Sequence, residues 1–125
     1  MWIDSHCHLN HERNADGDTP SDIVKRAKSA GVDGLVSICC DIKLEFPTLL
    51  ETINPLENVW CTIGTHPHDA GVEGEKSITL DDIIVAANGN DKVIGIGESG
   101  LDYYYNKSPK EDQEGSFRKH IRACI

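Results

Sequence analysis

Residues 34–40 read Gly34-Leu35-Val36-Ser37-Ile38-Cys39-Cys40, a nearly continuous apolar run. A half-solvated strand would alternate polar and apolar residues. A continuous run is what a parallel strand covered on both faces carries. Parallel neighbours need crossover connections, usually helices, so the flanking segments should read as helices. They do. On the N-terminal side, Thr19-Pro20-Ser21-Asp22 opens a helix, with Thr19 as N-cap, Pro20 at the first helical position and an acid in the first turn. Ile23, Val24, Ala27 and Ala30 form its apolar stripe, and Gly31 ends it. Ahead of it, Met1-Trp2-Ile3 begins a strand over about residues 1–6.

On the C-terminal side the same rhythm continues. A second helix carries Leu44, Leu49, Leu50 and Ile53 and stops at Pro55. A third strand is Val59-Trp60-Cys61-Thr62-Ile63-Gly64. A third helix starts near Thr79, carries Leu80, Ile83, Ile84 and Ala87, and ends at Asn88-Gly89. The fourth strand is Val93-Ile94-Gly95-Ile96-Gly97-Glu98. The fourth helix opens with a capping box, Ser108-Pro109-Lys110-Glu111, and its stripe is Gln113, Phe117, His120, Ile121 and Cys124. Four βα units predict an α/β fold with a parallel sheet. Polar loops over 9–18 and 70–77 both follow strands, so both rim the same end of that sheet.

Composition narrows the class. The chain has 125 residues, 38% of them hydrophobic, enough for one domain with a core. No apolar run approaches the roughly 20 residues of a membrane span. No basic segment precedes an apolar one at the N-terminus, which points to a cytoplasmic protein. Five Cys without a C-x-x-C make no disulfide framework; Cys39, Cys40 and Cys61 read as buried thiols. A net charge of −9 argues against a broad basic surface for nucleic acid. It leaves room for a phosphate substrate, because bound divalent cations supply local positive charge.

The chemistry-bearing residues collect at strand ends. Strand one ends in Asp4-Ser5-His6-Cys7-His8, strand three in Gly64-Thr65-His66-Pro67-His68-Asp69, and strand four in Gly97-Glu98-Ser99-Gly100-Leu101-Asp102-Tyr103-Tyr104-Tyr105. Ligands of parallel βα folds bind at the C-terminal ends of strands. Alternation along a strand turns His6 and His8 to one face and Cys7 to the other. Two imidazoles on one face make half of a metal site. A carboxylate ending an apolar strand, as Glu98 does, needs a cation or several donors. His66 either contacts a bound ligand or fixes its loop by a hydrogen bond. His68, with Pro67, buttresses that loop, His11 is solvated, and His120 is a satisfied core or interface histidine. The tyrosines at 103–105 include one that stacks on a planar ligand group, or they take the commoner role of loop anchors.

Those three ordered segments, with the Gln113…Phe117…His120 helix, resemble the TatD-type metal-dependent deoxyribonucleases over essentially the whole chain. The resemblance implies a TIM-like (β/α)8 barrel of the amidohydrolase-like hydrolases, with two divalent ions (Mg²⁺, Mn²⁺ or Zn²⁺). It implies that His6 and His8 ligate one ion and that Glu98 also ligates, bridging both. His66 would contact the substrate near the scissile phosphate. Tyr103 and Asp102 would shape the substrate loop. The implied activity is hydrolysis of DNA phosphodiester bonds, 3′–5′ exonuclease-like, on single strands or strand ends. Such a barrel takes about 250 residues and eight strands. Residues 1–125 therefore read as the N-terminal half of one barrel, and the catalytic acid is expected on a later strand. The open sheet edges invite self-association. The rival readings are hydrolysis of another ester or amide, including aminoacyl-tRNA deacylation, and a non-catalytic half-barrel module.

Overall fold

Four strands form one sheet in the order β1-β2-β3-β4: β1 is Trp2–Cys7, β2 Val32–Ser37, β3 Val59–Ile63 and β4 Val93–Ile96. Every neighbouring pair is parallel. The helices between and after them are α1 (Pro20–Ser29), α2 (Glu45–Ile53), α3 (Glu73–Lys76), α4 (Leu80–Asn88) and α5 (Lys110–Ala123). The computed structural model describes residues 2–11 and 17–125. The middle of the predicted 9–18 loop, and Met1, lie outside the described residues.

The core lies between the sheet and its helices. Leu35, Val59, Cys61 and Ile63 from the strands meet Phe46, Leu49 and Ile53 of α2 and Ile83 of α4. Leu49, Ile53, Ile63 and Ile83 are completely buried, each stabilising by about 1.5–3 kcal/mol relative to exposure. Thr19 caps α1 and Thr79 caps α4, each in a reciprocal box with the aspartate three residues on. The opposite surface of the sheet is open: Trp2 is 75% exposed and Ile94 56%. β1 and β4 each have a strand on one side only among the described residues.

Several expectations change. The 70–77 segment contains a helix, α3. Leu44 is exposed at the start of α2, and Phe46 takes the core position instead. Ser108 does not cap α5: the N-cap is Pro109, without a side-chain bond. The Ser108 hydroxyl is spent elsewhere, donating to the His68 carbonyl at 2.6 Å and accepting from Gly71 N–H at 2.8 Å. The buried stripe of α5 is polar, namely Gln113, Ser116 and His120, while Ile121 is exposed and Cys124 lies past the helix end.

β2 leaves the ladder after Ser37, although residues 38 and 39 stay buried. Side chains take over its amides: Cys39 N–H donates to Thr62 Oγ1 and Cys40 N–H to Glu45 Oε2 at 2.7 Å. The freed carbonyls then pin two segments of the strand ends. Cys39 accepts from Glu98 N–H at 3.2 Å, and Cys40 accepts from His66 N–H at 2.8 Å. Glu98 reaches across β3 because Gly64 has no side chain. A Cβ at Gly64 would sit 2.4 Å from the Gly97 carbonyl carbon.

Candidate metal centre

β1 delivers its histidines through a bulge. Asp4 pairs with Leu35 and Cys7 with Ser37, so Ser5 and His6 together oppose Val36. Such a bulge re-aims side chains at a strand end. Asp4 Oδ1 accepts the His6 amide at 3.0 Å, which occupies a backbone donor the bulge takes from the ladder. Cys7 turns to the helix layer, where its thiol meets the Val36 carbonyl. Burial pushes that thiol up to about 11.

His6, His8 and Glu98 converge. Each offers one ligand atom, and these atoms lie within 4.8 Å of one another. Glu98 Oε2 is 3.3 Å from His6 Nε2. His8 Nδ1 is 3.2 Å from the Ile38 carbonyl; in the tautomer that donates there, Nε2 carries the lone pair. His6 and Glu98 line an open cleft of about 300 Å³ with Ile38, Thr62, Ile96 and Ser99. Two imidazoles and a carboxylate are a donor set for a divalent ion. Cys40 stands beside it, its Sγ 3.9 Å from His8 Nδ1. Burial, with Glu45 and Glu98 nearby, pushes this thiol up to about 12.

His66 joins the cluster through the other carboxylate oxygen, with Nε2 3.2 Å from Glu98 Oε1. Its Nδ1 accepts the His68 amide at 3.1 Å, which leaves the ring proton on Nε2, facing Glu98. Burial lowers the His66 pKa, against the pull of Glu98, so the neutral ring is favoured. His68 Nε2 lies 2.5 Å from Asp102 Oδ2. Asp102 Oδ1 accepts the amides of Tyr104 at 3.1 Å and Tyr105 at 3.0 Å. The Tyr105 amide first, then His68, hold the Asp102 carboxyl below the usual carboxylate range. Tyr103 is drawn toward α5: its hydroxyl donates to Glu114 at 2.9 Å, and Lys110 Nζ stands 4.8 Å from its ring centre. His11 lies beside His8, with ring centres 6.4 Å apart.

Buried polar residues behind the cluster keep it in place, and sequence reading missed most of them. Gln113 accepts from Asp102 N–H at 2.7 Å and donates to the carbonyls of Ser108 (2.8 Å) and Asp102 (3.2 Å). His120 donates from Nδ1 to the Ser116 carbonyl at 2.8 Å and accepts Thr65 N–H at Nε2, 3.0 Å. Burial lowers its pKa, so it is a satisfied core histidine, as expected. Glu75 is 2% exposed; it accepts the Thr65 hydroxyl at 2.5 Å and Lys43 N–H at 2.8 Å, and burial raises its pKa. The signal for Gln113 was a polar residue on an otherwise apolar stripe. Nothing in the 70–77 segment marked Glu75.

A parallel βα sheet thus carries a two-histidine, one-carboxylate donor set at its C-terminal edge, the arrangement of a candidate metal centre. The family model described as TatD related DNase matches residues 3–125, and the chain belongs to that family. It is 35% identical over 121 residues to an uncharacterized metal-dependent hydrolase, YabD, of Bacillus subtilis, covering 97% of this chain and 45% of that protein. It is 34% identical over 103 residues to the 3′-5′ ssDNA/RNA exonuclease TatD of Salmonella typhimurium, covering 82% of this chain and 38% of that protein. The crystal structure of the TatD homologue YjjV from Escherichia coli has the same fold, with TM-score 0.77 and 22% identity, over 98% of this chain and 46% of that one. The chain thus has the TIM-barrel βα architecture of its family and spans about half the length of the curated relatives it matches.

Proposed function

We propose that the whole protein is a two-metal deoxyribonuclease that removes nucleotides from single strands or strand ends, with residues 1–125 supplying the N-terminal half of its barrel. The observation that carries this reading is the convergence of His6, His8 and Glu98, with His66 on the second Glu98 oxygen. His6, His8 and Glu98 would hold one divalent ion, and Glu98 would also serve a second. When bound, the ions supply Lewis acidity toward a phosphoryl oxygen and acidify a coordinated water.

The chain's own residues position the substrate around them. His66, kept neutral by burial and holding its proton on Nε2, would turn that proton from Glu98 Oε1 to a phosphoryl oxygen once the ions take up the carboxylate. His68 and Asp102 fix the loop that carries it, and Tyr103 anchors the substrate loop to α5. Asp102 is committed to His68 and two tyrosine amides, so it is not the general base; that acid belongs to a later strand. The open edges of β1 and β4 are where further strands pair, from the same barrel or a second copy.

The test is cleavage of single-stranded DNA with Mg²⁺ or Mn²⁺, with and without EDTA, by this chain and by a barrel completed to its relatives' length. EDTA-sensitive release of nucleotides by the completed barrel is expected. If it binds metal yet leaves DNA intact, the reaction is on another ester or amide, aminoacyl-tRNA being the next substrate to try.

A further inference from the structure

Two tyrosines beside the metal cluster have no part in the chemistry above. Tyr104 is 88% exposed and Tyr105 67%. Neither hydroxyl has a hydrogen-bond partner among the described residues. A tyrosine that merely anchors a loop buries its ring or bonds its hydroxyl, as Tyr103 does with Glu114.

The backbone that presents these two rings is firmly held. Asp102 Oδ1 accepts both of their amides, and the fully buried Gln113 clamps Asp102 by its own amide and carbonyl. The rings also continue a strip that starts at the cluster. His66 lies 3.2 Å from Glu98, and the His66 and His68 ring centres are 4.4 Å apart. His68 and Tyr105 follow at 5.8 Å, and Tyr105 and Tyr104 at 4.8 Å, edge to face. Tyr105 thus stands two ring spacings, 4.4 and 5.8 Å, from His66, a span on the scale of a single nucleotide.

We propose that Tyr104 and Tyr105 form a base-stacking subsite for a terminal or unpaired nucleobase next to the scissile phosphate. The inference rests on the nuclease reading above and names how that site holds its substrate. Stacking on a π-face tolerates any base and needs no basic groove, which suits a chain of net charge −9. A base inside a duplex has both faces covered, so single strands and frayed ends are the substrates that fit.

The test is binding, to the barrel completed to its relatives' length, of a short single-stranded oligodeoxynucleotide with non-hydrolysable phosphorothioate linkages and 2-aminopurine at its 3′ end, in Mn²⁺, read by fluorescence quenching and anisotropy. An otherwise identical oligonucleotide with an abasic 3′ end is the comparison. The exposed rings can be removed without touching the core, and thermal melting confirms that the variants fold. The Tyr104→Ala/Tyr105→Ala double variant should bind the 2-aminopurine strand about tenfold more weakly and lose the quenching, about 1.4 kcal/mol. It should bind the abasic strand as the unsubstituted chain does, and Tyr→Phe at both positions should restore binding. Equal weakening for both strands, or no weakening, overturns the stacking subsite and leaves the nuclease reading standing. No binding of either strand by the unsubstituted completed barrel, with Mn²⁺ bound, overturns both.

Discussion

Replacing Gln113 by Leu tests whether the site loop hangs on α5. The change keeps the side chain close to its original size, so it opens no large cavity. It removes three hydrogen bonds: from the amide of Asp102, and to the carbonyls of Asp102 and Ser108. Gln113 is completely buried, so water does not take over those groups while the loop stays packed. At about 1 kcal/mol net for each bond the loss is about 3 kcal/mol, and more if the Asp102 amide stays dry and unpaired. A domain of this size has only about 5–15 kcal/mol in total. Thermal melting should therefore fall by about 10 °C. If the loop opens locally instead, the melting shift shrinks and hydrogen exchange at Asp102, Tyr104 and Tyr105 accelerates. Gln113→Glu keeps the acceptor for Asp102 N–H and loses the donor, so it should fall between. Unchanged melting together with unchanged exchange would refute the clamp. Metal affinity should change little, because Glu98 is pinned by Cys39 rather than by α5.

The remaining predictions concern the cluster and its supports. A divalent ion at about 100 times its Kd should stabilise the chain by about 2.7 kcal/mol, reversed by EDTA; Glu98→Gln should abolish most of that shift, and a full shift in the variant removes Glu98 from the ligand set. Gly64→Ala should cost about 1–3 kcal/mol and weaken metal binding, because the new methyl overlaps the Gly97 backbone and must displace Glu98; melting and metal titration read both, and an unperturbed variant contradicts the close approach. Burial lowers the His120 pKa, so its stabilisation is complete above the ordinary value of about 6.5 and is lost as pH falls through the lower folded value. His66 acts in the same direction. Urea unfolding should show stability declining below about pH 6.5, by at most about 1.4 kcal/mol per pH unit for each proton, and His120→Gln should flatten that decline. An equally steep decline in the variant would exonerate His120.

How much of this was legible depended on what each residue packs against. Parallel strands and their helices announce themselves because burial on both faces demands continuous apolar runs, and the strand ends announce the site because His and Glu have no other reason to terminate such runs. His6, His8 and Glu98 come together although β1 and β4 lie at opposite edges of the sheet, through the bulge in β1 and the close approach at Gly64. The capping box at Ser108 failed for a reason local sequence cannot carry: its hydroxyl has better partners across the fold, at His68 and Gly71. The same applies to Glu75 and Gln113, whose partners lie about ten or more residues away in loops. These long-range polar bonds decide where the cluster sits. The backbone of 39–40 leaves the strand ladder to hold Glu98 and His66, His120 fixes Thr65, and Gln113 fixes Asp102. The ligands themselves are therefore readable as spacing, whereas the geometry that makes them a site is written in residues that look like ordinary loop and helix positions. Substitutions at Gln113 or Ser108 should thus loosen the loops behind the cluster, and those at Glu75 the Thr65 segment, while His6, His8 and Glu98 keep their places.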